Sequence, residues 1–137
     1  MRLMIMVKST KDSEAGVMPD EKLFAAMADY HEDLVKAGVL LDASGLHPTS
    51  KGLRVKYSGR KRTFLDGPFA ESKELIAGYT IIQVKSWEEG MEWVKRFPPP
   101  HGDADCEIEV RRLFELDDFT PSESIDRFRD METLLGK

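Results

Sequence analysis

Cysteine is almost missing from this chain: 137 residues hold a single one, Cys106. One thiol closes no internal disulfide and builds no cysteine metal cluster. Histidine is nearly as sparse. His31, His47 and His101 lie far apart, with no i, i+4 helix pair and no His-x-His strand pair, so no metal site is expected. No apolar run approaches the length of a membrane span. The N-terminal run Leu3–Val7 is also too short for the apolar region of a signal peptide, and a cytoplasmic location is the expectation. Positive charge is in deficit, with 20 Lys and Arg against 25 Asp and Glu and a net charge of −5. That balance gives no electrostatic support for binding nucleic acid or an anionic membrane. A phosphate-loop glycine pattern, a nucleophile elbow, internal repeats and low-complexity tracts are absent too, and no cofactor is expected.

What is present suits one soluble globular domain. Charged residues make up 33% and hydrophobic ones 41%, and a chain of this size can bury a real core. Leu3–Val7 is apolar on both alternating faces, which predicts a central strand covered on two sides. A polar loop over 9–18 follows. Pro19 and Asp20 open a helix that runs to about Ala37, where Gly38 stops it. Leu23, Phe24, Met27, Tyr30, Leu34 and Val35 share its apolar face, and His31 falls within that stripe. Val39–Ala43 reads as a second strand. Leu53–Tyr57 and Thr63–Leu65 read as a hairpin, followed by a strand within 75–85 that has Thr80, Ile82 and Val84 on one face and Tyr79, Ile81 and Gln83 on the other. Ser86 and Glu89 mark a capping box, and Pro98–Pro100 ends the helix it starts. Cys106, Ile108 and Val110 alternate with charged residues in a last strand. A tail helix is expected from Thr120 as cap, with Pro121 at its first position and Ile125, Phe128, Met131 and Leu135 along one side.

This order predicts an α+β chain: a ferredoxin-like βαβ-βαβ domain over 1–116 with an inserted hairpin, and a helical extension over 117–137. Helices on one face leave the other sheet face bare. The two-sided apolar first strand predicts that this face is covered, most simply by a second subunit.

Asp66-Gly67-Pro68-Phe69 organises the middle of the chain. Gly67 allows a positive φ, Pro68 enforces a turn, and Phe69 is a candidate core anchor. Asp66 could hold a substrate or accept a proton; equally, its carboxylate could cap the turn. Glu71, Lys73 and Glu74 follow as a charged segment that is either solvated or ligand-facing. His31 is a candidate general base or else a packed, hydrogen-bonded histidine. Arg54 belongs to the local basic patch Arg54, Lys56, Arg60, Lys61 and Arg62. It could fork onto a substrate carboxylate or simply be solvated. His47 reads as a loop residue. Arg112 is a cation at an apolar strand position. Tyr79 could lend a phenol to a cavity or serve as an ordinary strand aromatic.

Asp66-Gly67-Pro68-Phe69 with Glu71, Lys73-Glu74 and Gly78-Tyr79 resembles the signature of the DGPF proteins, a branch of the YCII-related family. The resemblance implies a ferredoxin-like fold that pairs into a dimeric α/β barrel. In such relatives a helix histidine pairs with an aspartate, at a position nearer Met27 than His31. Barrels of this type resemble cofactor-free isomerases and lyases that work in a cavity between subunits. That implies an unknown small-molecule ligand in a homodimer, with Asp66 and His31 as the acid–base pair and Arg54, Tyr79, Glu71 and Lys73 contacting substrate. DGPF proteins also resemble genes found beside extracytoplasmic-function sigma factors. The alternative is therefore a non-catalytic, ligand-binding or regulatory module with a sigma factor as partner.

Overall fold

The structure, a computed structural model, describes all 137 residues. In chain order it runs β1 (Arg2–Lys8), α1 (Lys11–Glu14), α2 (Glu21–Lys36), β2 (Leu40–Gly45), β3 (Leu53–Ser58), β4 (Lys61–Asp66), β5 (Ile76–Gln83), α3 (Trp87–Lys95), β6 (Ile108–Arg112) and α4 (Glu123–Leu134), with short 3-10 turns between. Four strands form one antiparallel sheet in the order β2-β5-β1-β6, while β3 and β4 form a separate two-stranded ribbon. With the ribbon set aside, this is the ferredoxin-like order, as expected.

Side chains alternate between the two sheet faces. Leu3 and Ile5 of β1 and Ile82 of β5 are fully buried on one of them, with Leu34 and Tyr30 of α2 packed over them. Burying a side chain of this kind contributes about 1.5–3 kcal/mol. α3 closes the same layer through Trp93 and Val94, and Tyr30 Oη donates to the Trp93 carbonyl at 2.8 Å, tying α2 to α3. α2 has Asp20 as its cap, accepting from Leu23 N, and Gly38 follows its end at φ +73°. Its buried stripe is narrower than expected. Phe24 and Val35 are exposed, because they lie beyond His31 on the edge of the helix face rather than over the sheet.

Four local expectations shift. Residues 9–18 include one helical turn, α1, closed by a reciprocal Thr10–Ser13 capping box. Glu89 does not complete its box: its carboxylate accepts from Lys85 N, while Ser86 Oγ still caps Glu89 N. Cys106 lies just before β6. The tail helix is capped by Ser122, two residues later than Thr120, because Ser122 is the extended residue whose hydroxyl reaches Ile125 N.

The molecule is open for its size. Its accessible surface is 10245 Å², and 13 of 137 residues are buried. A compact monomer of 15.6 kDa exposes about 7,200 Å². The excess lies in the bare sheet face, the ribbon and α4. No helix is long and apolar enough to cross a membrane.

Candidate functional site

The face of the sheet turned away from the helices carries two cross-strand rows. Strand pairing aligns Asp42, Ile81, Met4 and Arg111 in one, and Ser44, Tyr79, Met6 and Glu109 in the next. An irregularity between Leu40 and Asp42 sets the phase of β2, so that Asp42 faces this side while Leu40 packs into the core. The floor is therefore apolar in the middle and polar at both rims. In its centre Tyr79 Oη donates to Asp42 Oδ2 at 2.9 Å. At the far rim Lys8 pairs with Glu109 at 3.4 Å, whereas Arg111 is exposed and makes no ion pair. Neighbouring strands lie about 4.8 Å apart, so Arg111 is about 14 Å from Asp42 at the backbone. The carboxylate that orients Tyr79 is a residue that sequence reasoning missed. A charged residue inside an otherwise apolar β2 was a signal, but the irregular register hid which face it takes.

His31 lies on the opposite, helical side. Its Nδ1 sits 2.7 Å from the Met27 carbonyl and its Nε2 2.9 Å from Thr80 Oγ1. A carbonyl only accepts, so Nδ1 carries the proton, and in the neutral ring Nε2 accepts from the buried Thr80 hydroxyl. Both ring nitrogens are thus engaged.

Asp66 ends β4 in the separate ribbon, exposed and without a hydrogen bond. His31 and Asp66 are not brought together. Instead, the segment Asp66–Phe69 forms a clasp. Gly67 N donates to the Gly52 carbonyl at 3.0 Å, and Phe69 N donates to Thr49 Oγ1 at 2.9 Å. Thr49 in turn donates through its hydroxyl and its N–H to the Glu14 carboxylate. Gly67 does not use a positive φ. It is needed because a Cβ there would overlap the Thr49 carbonyl oxygen. Phe69 is half-buried rather than a core anchor, and the Arg54 guanidinium lies 3.8 Å over its ring. Arg54 is thus placed by an aromatic face, and Glu71 and Lys73 are exposed without ion pairs.

His47 lines a shallow cleft of about 330 Å³ together with Glu14, Met18 and Lys51. Arg112, at the helix-face parity of β6, lines a second open cleft with Phe114 and Asp118. Asp66 lines neither. No three His, Cys, Asp or Glu side chains converge as they would to hold a metal ion. Of the candidate substrate-contacting residues, only Tyr79 stands on the floor; Arg54, Glu71 and Lys73 lie in the ribbon and the turn after it.

Comparison with known proteins adds three findings. A model of the YCII-related domain matches residues 1–115. An uncharacterised protein of Rhizobium meliloti (strain 1021) is 29% identical over 76 residues, which is 56% of this chain. The match spans 61% of that relative's own length. Among solved structures, the chain is similar to 5-chloro-2-hydroxyhydroquinone dehydrochlorinase from Burkholderia phenoliruptrix, solved with 2,5-dihydroxybenzoquinone. The identity is 17% and the TM-score 0.47, over 83% of this chain and 94% of that one.

Proposed function

We propose a function from the premise that this chain belongs to the YCII-related family: it is a cofactor-free enzyme of the isomerase or lyase type, acting on a small planar carboxylate held between two copies of the chain. The observation that carries this reading is the Tyr79–Asp42 hydrogen bond, placed over an apolar floor of Met4, Met6 and Ile81. A second copy laid on the bare face would enclose that floor and exclude water, which strengthens every polar contact inside.

The chemistry follows from the pair. Asp42 holds the Tyr79 phenol by accepting its proton in a hydrogen bond. A substrate proton can pass to the phenol oxygen as the phenol proton moves to Asp42, and the reverse shift returns it to another substrate atom. Charge and protons balance without a further reactant, as an isomerisation or elimination requires. Arg111, free at the opposite rim, supplies the fork for the carboxylate end. Arg54, Glu71, Lys73 and Asp66 enter this reading only if the second copy carries its ribbon toward the seam.

A thermal-shift screen against small aromatic and aliphatic carboxylates tests it, because a ligand that binds the native state raises the melting temperature. With a hit in hand, Tyr79→Phe should keep binding and lose turnover by about a hundredfold or more. Asp42→Asn should do the same. If both variants turn over the substrate at the normal rate, the assignment is wrong. If no carboxylate binds and a sigma factor is captured instead, the regulatory module is the better reading.

A further inference from the structure

Two elements outside the main sheet present apolar faces that nothing in the chain covers. Strand pairing puts Leu53, Val55 and Tyr57 of β3 on the same ribbon face as Phe64 and Arg62 of β4. Tyr57 and Phe64 are each 68% exposed. A two-stranded ribbon with a bare apolar face is marginal by itself in water. The other element is α4. Phe128, Met131 and Leu135 form a stripe along it, with Phe128 53% exposed and the other two exposed as well. Within its own chain α4 packs chiefly on the 3-10 turn Leu116–Asp118. A twelve-residue helix has little stability without such a stripe being buried.

The two faces match in size and in sign. α4 is about 18 Å long, and the six-residue strands of the ribbon are about 20 Å long. Residues 53–66 hold five cations against one carboxylate, while residues 115–137 hold seven carboxylates against three cations. Arg62 lies over Tyr57 on the apolar ribbon face, its guanidinium 5.2 Å from the ring centre, and Glu132 flanks the α4 stripe. Both faces are bare in the same molecule, so they are not satisfied within one chain. The surface excess of roughly 3,000 Å² over a compact monomer is of the size an obligate homodimer buries.

We propose that α4 of each copy packs along the apolar face of the β3–β4 ribbon of a second copy, reciprocally, as a pair of exchanged arms. This shares with the proposed function the premise of a second copy, but it assigns different contacts from those over the sheet.

A charge-swap mixture of full-length chains tests it by light scattering and sedimentation. Glu132→Arg and Arg62→Glu each place like charges across the docking surface, and each should weaken self-association by about tenfold. An equimolar mixture should recover the wild-type affinity as a heterodimer, because both arm contacts are then between opposite charges. Contact within one chain could not be rescued by mixing. Either variant associating like wild type, or a mixture as weak as its parts, overturns the proposal. Met6→Lys separates the two readings. If it dissolves a dimer that the charge variants leave intact, the arm exchange is wrong and the sheet seam stands. If the wild-type chain is a monomer, both are wrong.

Discussion

Single residues here are governed by close approach and by burial. Gly67 is the sharpest case, since any Cβ meets the Thr49 backbone oxygen, which has no flexible end to yield. Gly67→Ala should therefore cost about 1–3 kcal/mol or more, seen as a lower urea midpoint at unchanged slope. Tyr30 carries a pH dependence. Burial pushes its phenol up to about 12, against a smaller opposing pull from Arg96. An unfolded tyrosine titrates near 10, so between pH 10 and about 12 the unfolded chain has lost a proton that the native chain keeps. Stability from this group is constant below pH 10, then falls by about 1.4 kcal/mol per pH unit until about pH 12. Urea midpoints over that range should show the slope, and Tyr30→Phe should remove its share. His31 shows why a residue in an apolar stripe is ambiguous from sequence: its position was legible, but the Thr80 hydroxyl that occupies Nε2 is contributed by a strand 49 residues away.

At the scale of elements, the clasp between α1, the Thr49 turn and the Asp66–Phe69 segment holds the ribbon against the domain. Thr49 is its hub, bonding Glu14 on one side and Phe69 on the other. Thr49→Val keeps the shape and deletes the hydroxyl. We expect a loss of about 1–3 kcal/mol, felt first as faster proteolysis and amide exchange in the ribbon rather than in the main sheet. The sequence marked this segment as special, because turn residues and charge are dense there. It did not mark the partner, because Thr49 lies 20 residues from Phe69 in an unremarkable stretch. The α4 cap shows a smaller ambiguity of the same kind. Thr120 and Ser122 are both good caps, and backbone path, not residue type, selects Ser122.

For the whole molecule, the bare sheet face decides what the protein does. Met6 sits at the centre of the floor, between Tyr79 and Glu109. A charge there has no cost in an exposed monomer and a large one in a sealed seam. Met6→Lys should shift a dimer to monomer in light scattering and abolish the thermal stabilisation given by any ligand, while far-UV circular dichroism stays native. Unchanged association would mean that this face is not the seam.

Periodicity, caps and punctuation were enough to lay out the ferredoxin-like order, the inserted ribbon and the tail helix. Those signals are local: a strand or a helix is recorded in the spacing of its own apolar residues. The two faces of β5 were legible for the same reason, which is how Tyr79 was singled out. Tertiary structure alone decided which groups meet. The irregular register of β2 turned Asp42 toward Tyr79, packing enclosed His31 against Thr80, and the clasp set Asp66 apart in the ribbon. Such pairings depend on strand order and on shifts of a single residue between segments far apart in the chain, and no spacing within either segment carries that information.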